Sequence, residues 1–283
     1  MSRRSIRTRK LVNGVVTVIA GSAAAIGLIV LLCILYSVAE RGIPAVNWAF
    51  FTQMPTPPGT IGGGLANAII GSILITGCAV LMGIPLGLLA GTYLAEFGQE
   101  GRLAGIIRFV ADIMMGAPSI VIGVFVYTLL VVPQGHFSGF AGSVALAIIM
   151  LPLVTRVTED MLKMVPNTLR ESALALGAPE YKMVFQVIFR SARSGLLTGL
   201  MLSVARVSGE TAPLLFTALN SPYSELSMNK PMGNLTVTIF NYAMSPYSDW
   251  QAKAWGASLL ITASVLLLNL TARFLTRERR ARS

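Results

Sequence analysis

The chain has 283 residues, of which 54% are hydrophobic and only 12% are charged, and its formal net charge is +10. A soluble domain carries about 25% charged residues, so this composition excludes a single soluble globular domain and predicts a polytopic membrane protein. A basic excess of this size can indicate nucleic-acid binding, and the positions of the basic residues test that reading.

Six apolar runs predict six transmembrane helices in one all-α membrane domain that covers residues 1–283. A run of about 20 apolar residues is long enough to cross the ~30 Å hydrocarbon core of a bilayer. Pro85, Pro118 and Pro152 predict bends in spans 2, 3 and 4. The predicted spans are about 11–39, 65–95, 106–132, 140–154, 195–219 and 254–275.

Span 2 carries a glycine at every fourth position, at Gly83, Gly87 and Gly91. Residues four apart lie on one side of a helix, and small residues there let two helix backbones approach closely. The spacing therefore predicts a face that packs against another span.

The Lys and Arg residues are distributed very unevenly over this topology. All but four of the 22 lie on one side, in the N-terminal segment, the loop after span 2, the loop between spans 4 and 5, and the C-terminal tail. The exceptions are Arg41, Lys230 and Lys253 on the other side and Arg206 within span 5. The positive-inside rule places the basic side, with both termini, in the cytoplasm. The basic excess is therefore a topology signal, and no nucleic-acid partner is expected.

The predicted cytoplasmic loop 155–194 is too long and too apolar for a simple connector. Gly177 and Pro179 predict the end of one short helix and the start of a second. The two helices would form a compact apolar knob for another protein; the alternative is an amphipathic pair that lies on the lipid surface. The apolar residues that recur at three- and four-residue steps are Leu162, Val165, Leu169, Ala173 and Leu176.

Span 5 carries a charge in its interior. Arg206 lies eleven residues beyond Gly195, about 16 Å along a helix and near the middle of the bilayer. Such a charge costs at least ~2.5–3.5 kcal/mol on insertion scales, so its side chain has to face protein or water. Glu210 is one helical turn further along the same face and is predicted to pair with it.

The neighbours of this pair favour a site that lines the transport pathway. Gly209 removes bulk, Thr211 offers a hydroxyl, and Pro213 lacks the N–H that would bond to the carbonyl of Gly209. The sequence therefore predicts a substrate pathway formed by Arg206, Gly209, Glu210, Thr211 and Pro213. The alternative is a buried ion pair that only fixes helix packing.

The loop also carries a family motif. Glu171-Ser172-Ala173, followed by Gly177, resembles the EAA motif of ABC-importer permeases, whose coupling helix sits in a groove of the ATPase subunit. Ser172 replaces the second Ala of that motif, and Arg190 stands where the motif ends in Pro. The resemblance implies ATPase coupling through Glu171, Ala173, Leu176, Gly177 and Ala178.

Four longer stretches narrow the resemblance to the phosphate-importer permeases of the PstA type. They are GGGLANAIIGSILIT, IPLGLLAGTYLAEF, LRESALALGAPE and ARVSGETAPLLFTA, at positions 62–76, 84–97, 169–180 and 205–218. The family implies a type I ABC importer permease fold and phosphate transport across the bacterial cytoplasmic (inner) membrane. It also implies a homologous second permease (PstC-like), an ATPase homodimer (PstB-like), an extracytoplasmic phosphate-binding protein (PstS-like) and contact with membrane lipid.

The sequence gives no sign of an enzyme. It contains no Gly-x-x-x-x-Gly-Lys-Ser/Thr motif, so ATP and Mg²⁺ are expected on the ATPase subunit and no cofactor on this chain. One His and two scattered Cys predict no metal site. Two alternatives stay open: a permease for another oxyanion, such as sulfate or molybdate, and a stand-alone channel or membrane anchor.

Overall fold

A computed structural model of the protein describes residues 6–98 and 101–280, and all regular secondary structure in that part is helical. The predicted cytoplasmic residues Arg3, Arg4 and Arg282 lie outside the described residues. The first half contains α1 (Ile6–Gly42), α2 (Trp48–Thr52), α3 (Ala66–Thr92), α4 (Arg102–Gly116), α5 (Ser119–Val126), α6 (Val132–Gln134) and α7 (Gly139–Lys163). The second half contains α8 (Asn167–Ala175), α9 (Glu180–Lys182), α10 (Phe189–Ser208), α11 (Ala212–Thr217), α12 (Leu235–Ala243) and α13 (Ser248–Arg280). Three π-helical turns continue α3, α5 and α9, at Tyr93–Phe97, Tyr127–Val131 and Met183–Ile188.

Six spans are confirmed among the described residues when one bent pair is counted as a single span. The five long apolar helices are Thr8–Ala45, Ala66–Phe97, Gly139–Lys163, Glu180–Ser208 and Ser248–Thr271. The pair Arg102–Gly116 and Ser119–Gln134 supplies the sixth and is bent by 106°.

The predicted bend of span 3 at Pro118 is confirmed, and it is sharp enough to divide the span into two helices. Its two halves meet at Ala117-Pro118, where Ala117 is extended with φ −72° and ψ 136°. Pro118 disfavours the helical conformation of the residue before it, which explains the sharp bend. By contrast, α3 and α7 continue as helices through Pro85 and Pro152.

The segment 155–194, predicted as a cytoplasmic loop with two short helices, is mostly helix and is continuous with the neighbouring spans at both ends. α7 continues to Lys163, and α9, the π turn and α10 form one helical run from Glu180 to Ser208. The second helix of the predicted pair is therefore long, and only about 164–179 lies between long helices. Hydropathy shows only where the apolar residues end. The backbone hydrogen bonds of a helix can continue through polar residues beyond that point. Arg190, unlike the family's proline, has the N–H that lets the helix continue.

The ends of the chain also differ from the predicted bounds. α1 and α13 are longer than spans 1 and 6, and the predicted outer loop 220–251 contains α12. α1 packs mainly against α13, with the Arg41 guanidinium 5.0 Å from the centre of the Trp255 ring.

The most extensive packing in the structure joins α3 and α7. The predicted glycine face forms this contact, which confirms its role. A Cβ added at Gly87 would lie 2.6 Å from the Cβ of Val154, and one added at Gly91 would lie 2.5 Å from the Cβ of Thr158. The backbones of α3 and α7 are therefore as close as glycine allows.

We expect Gly87→Ala to destabilise the protein by about 1–3 kcal/mol, since it overpacks a fixed helix contact. The measurement is thermal unfolding of the purified protein in detergent. Gly77→Ala is the matched control on the same helix, because nothing lies within 4 Å of its added Cβ. An equal melting temperature for the two variants would show that the close approach does not limit stability.

Candidate functional site

The residues of the predicted substrate pathway lie where span 5 is interrupted. Residues 195–219 therefore do not form the single helix that was predicted. α10 ends at Ser208, Gly209 follows as its C-cap with φ −97° and ψ 0°, and α11 begins only at Ala212. Glu210 is therefore not on the helix of Arg206, and the turn that would have placed their side chains together is absent.

Arg206 is exposed in the last turn of α10. A cation there interacts favourably with the negative end of the helix dipole, by about 0.3–1 kcal/mol when exposed. Within the described part of the chain it forms no ion pair, and Glu210 is half-buried without one either. The prediction that Arg206 pairs with Glu210 is wrong. The alternative, a buried ion pair that only fixes helix packing, is wrong for the same reason.

The far side of the break is anchored to two other helices. Thr236 of α12 donates its hydroxyl to the backbone carbonyl of Glu210 at 3.0 Å. Pro213 is the second residue of α11 and is buried against Gly123 of α5, where an added Cβ would lie 2.6 Å from the Pro213 Cα. Thr211, between the two helices, is half-buried. The second halves of both broken spans, α5 and α11, thus pack against each other.

A cavity of about 590 Å³ lies at the end of the molecule that carries Lys230. Its polar lining consists of neutral amides and hydroxyls, such as those of Asn67, Asn220 and Thr238, and contains no charged side chain. The residues that line this cavity therefore offer an anion no charged group.

The predicted coupling residues lie on and just after α8. Gly177 has φ +78°, and its N–H donates to the carbonyl of Leu174 at 2.9 Å, which confirms the predicted helix end. Glu171, Leu176 and Gly177 are exposed, Ala178 is half-buried and Ala173 is buried. Leu176 is 88% exposed, an unusual position for a large apolar side chain.

The predicted apolar stripe divides between two surfaces. Leu162 and Val165 precede Pro166 and are buried with Ala173 against the π turn Met183–Ile188. Leu169 and Leu176 remain exposed. The knob is therefore attached to the membrane body by one side and offers only its other side for docking.

Arg170, which the sequence analysis did not identify, holds α8 to the end of α3. Its Nε and one terminal nitrogen donate to the two carboxylate oxygens of Glu96 at 3.0 and 2.7 Å. The same guanidinium donates to the carbonyls of Leu162 and Val165 and to the side chain of Asn167. The Glu96 carboxylate raises the pKa of Arg170 above its ordinary value. Since 74 residues separate the partners, no local sequence pattern could have paired them.

A second buried carboxylate, also missed, holds α7 to α4. The Glu159 side chain is 2% exposed and accepts from Arg108 Nε at 2.7 Å and from Lys163 Nζ at 2.6 Å. Arg156 lies 4.0 Å from its other oxygen. Arg108 also donates to the carbonyl of Leu94 at 3.1 Å, within the π turn that carries Glu96.

Comparison with known proteins identifies clear relatives over almost the whole chain. A family model described as "Binding-protein-dependent transport system inner membrane component" matches residues 83–280. A phosphate transport system permease protein PstA from Yersinia pestis is 48% identical over 271 residues, 96% of this chain and 92% of that protein. Its counterpart from Haemophilus influenzae is 49% identical over 94% of each chain. A probable one from Methanocaldococcus jannaschii is 36% identical over 92% of each.

Solved structures show the same fold at much lower identity. The MetNI methionine ABC transporter in an inward-facing form matches with a TM-score of 0.63 at 20% identity, over 76% of this chain and 95% of that one. A bacterial alginate ABC transporter matches with a TM-score of 0.67 at 12% identity, over 96% and 97%. The predicted type I ABC importer permease fold is thereby confirmed.

We expect Glu159→Gln to lower the free energy of unfolding by about 1.5–3 kcal/mol, because it weakens the hydrogen bonds that Arg108 and Lys163 donate to a buried carboxylate. Its neighbour supplies a matched control: Asp160→Asn makes the same chemical change on a carboxylate that is 52% exposed. That change should cost less than about 1 kcal/mol. Thermal unfolding in detergent measures both, and equal losses would contradict the role given to burial.

Proposed function

The chain belongs to the family of binding-protein-dependent transport system inner membrane components, and from this we propose that it is the phosphate-translocating permease subunit of an ATP-driven importer. The observation that carries the proposal is the 46–49% identity, over 94–97% of this chain, to proteins named as phosphate transport permeases. The sequence resemblance to the PstA type is thereby confirmed. The chain itself has no ATP-binding motif, so the driving reaction takes place on a partner.

The subunit acts in a complex. Its partners are a homologous second permease, an ATPase homodimer that holds ATP and Mg²⁺, and an extracytoplasmic phosphate-binding protein. The family description supports the last of these, since transport in that family depends on a binding protein.

The basic end of the molecule faces the cytoplasm, with both chain termini. We use "basic end" for the side that carries Arg102, Arg108, Arg156, Lys163 and α8. The positive-inside rule supports this orientation, and it places α8 where an ATPase can reach it. The exposed apolar side chains of Leu169 and Leu176 then form the docking surface, with Glu171 beside them.

Phosphate passes the break between α10 and α11. Arg206 is exposed there, and its planar set of donors matches the oxygens of a tetrahedral oxyanion. Glu210 lies within the break and repels the anion, which keeps binding weak enough for release. Gly209 leaves room beside the guanidinium, and the hydroxyl of Thr211 adds a neutral donor. Non-helical backbone within a membrane is tolerated where it lines a cavity, which supports a pathway at this position.

We expect Arg206→Gln to reduce phosphate uptake at least ~10-fold, corresponding to ~1.4 kcal/mol of lost interaction. Uptake of labelled phosphate is measured in proteoliposomes that contain the whole complex and the binding protein. Arg193→Gln is the matched control, since it removes an exposed guanidinium from the same helix nearer the basic end. Unimpaired uptake by Arg206→Gln would refute a phosphate pathway past Arg206. Faster uptake of sulfate or molybdate than of phosphate by the wild-type complex would show that phosphate is not the preferred substrate.

We expect Leu176→Asp to abolish co-purification of the ATPase, because it puts a charge into the centre of the docking surface. Leu226→Asp makes the same change at another exposed leucine, 69% exposed and outside the basic end, and should leave the complex intact. Full retention of the ATPase by Leu176→Asp would exclude this surface as the docking site.

A further inference from the structure

The Arg170 guanidinium connects α8 to the membrane-spanning helices, a contact that the sequence did not reveal. Its acceptors come from three separate elements: the π turn after α3, the end of α7, and α8 itself. Both oxygens of Glu96 are engaged, so the contact fixes an orientation as well as a distance.

The contact is largely removed from water. The Glu96 side chain is 4% exposed and the Arg170 side chain is 17% exposed. A buried ion pair of this kind is weak evidence for stability, because an apolar pair of similar size is often as stable. Removing one partner alone is costly, since the other charge is then buried without compensation. A directional role therefore explains the pair better than a stabilising one.

The remaining attachment of α8 differs in kind. Ala173 packs with Met183, Val184 and Ile188, an apolar contact without a preferred direction. Such a surface can slide, whereas a two-pronged hydrogen-bonded pair cannot do so without breaking. Within the described residues, the ion pair of Arg170 with Glu96 joins α8 to the π turn that follows α3.

The π turn Tyr93–Phe97 is held from a second side. Arg108 of α4 donates to the carbonyl of Leu94 in this turn and to Glu159 of α7. From this turn α3 runs along α7 with the close glycine contact described above, and α7 packs against α10 and α11. Contacts thus run without interruption from α8, through α3 and α7, to the helices on either side of the break at Gly209.

We propose that Arg170 is a positioning residue for transport, which locks α8 to Glu96 so that movement of α8 is transmitted to α3 instead of being lost at the apolar contact. The inference rests on the proposed function, in which the ATPase moves α8. Arg170 does not touch the transported anion. It acts through Glu96 and sets how much transport each hydrolysed ATP produces.

The test measures phosphate transported per ATP hydrolysed, in proteoliposomes that contain the full complex and the phosphate-loaded binding protein. In Arg170→Gln this ratio should fall about 5-fold or more, the lower end of typical coupling between distant sites. The double variant Glu96→Gln/Arg170→Gln has no uncompensated buried charge, so the protein should reach wild-type levels in the membrane. Its ratio of phosphate transported to ATP hydrolysed should nevertheless stay low. If the role of Arg170 were purely structural, the double variant would regain both the protein level and the wild-type ratio.

Arg156→Gln is the matched control. It removes a guanidinium at the same end, 44% exposed, whose acidic partners lie on its own helix at 3.7 and 4.0 Å. It should keep the wild-type ratio. A wild-type ratio in the double variant, or an equal fall in Arg156→Gln, would overturn the proposal. The proposed function fails separately, namely if the wild-type complex hydrolyses ATP and moves no phosphate.

Discussion

The cost of taking a charge out of water determines how this protein is arranged. The buried carboxylates Glu96 and Glu159 lie at the basic end, and each is matched by guanidinium or ammonium groups from other turns or helices. These pairs join α3, α4, α7 and α8, so the basic end is held together by polar contacts. Arg206 stands apart from this end at a helix break, where an exposed cation can meet an anion.

The breaks in the helices have a related cause. Backbone groups need hydrogen-bond partners inside a membrane, so irregular backbone occurs only where protein or water supplies them. Thr236 supplies one at Glu210, and the close contact of Pro213 with Gly123 joins the two broken spans. The α3–α7 glycine contact then makes a close-packed link between this region and the basic end. Transport, as proposed, couples a displacement of α8 at the basic end to a change in helix packing at the break between α10 and α11.

Much of this could be predicted from the sequence because hydropathy, basic-residue distribution and glycine spacing are local signals. They correctly gave six spans, the glycine face and the helix end at Gly177. Helix ends were missed because hydropathy does not report hydrogen bonding. Pro118 predicted a bend in span 3, but the full interruptions of the helix at Ala117-Pro118 and at Gly209 were not predicted. The predicted pairing of Arg206 with Glu210 failed because it assumed an unbroken helix. Arg170 and Glu159 were missed because their main partners, Glu96 and Arg108, are far away in sequence.

Coupling through Arg170 requires that α8 and the end of α3 move as one unit when ATP binds. The most direct test is the distance between spin labels at Thr168 and Phe97, measured by pulsed electron paramagnetic resonance. The native Cys33 and Cys78 are replaced so that only the introduced positions are labelled. A second label pair joins Thr168 to Leu219, beyond the break. The account predicts that ATP leaves the first distance unchanged and shifts the second. A change in the first distance would contradict it, since α8 would then move independently of α3.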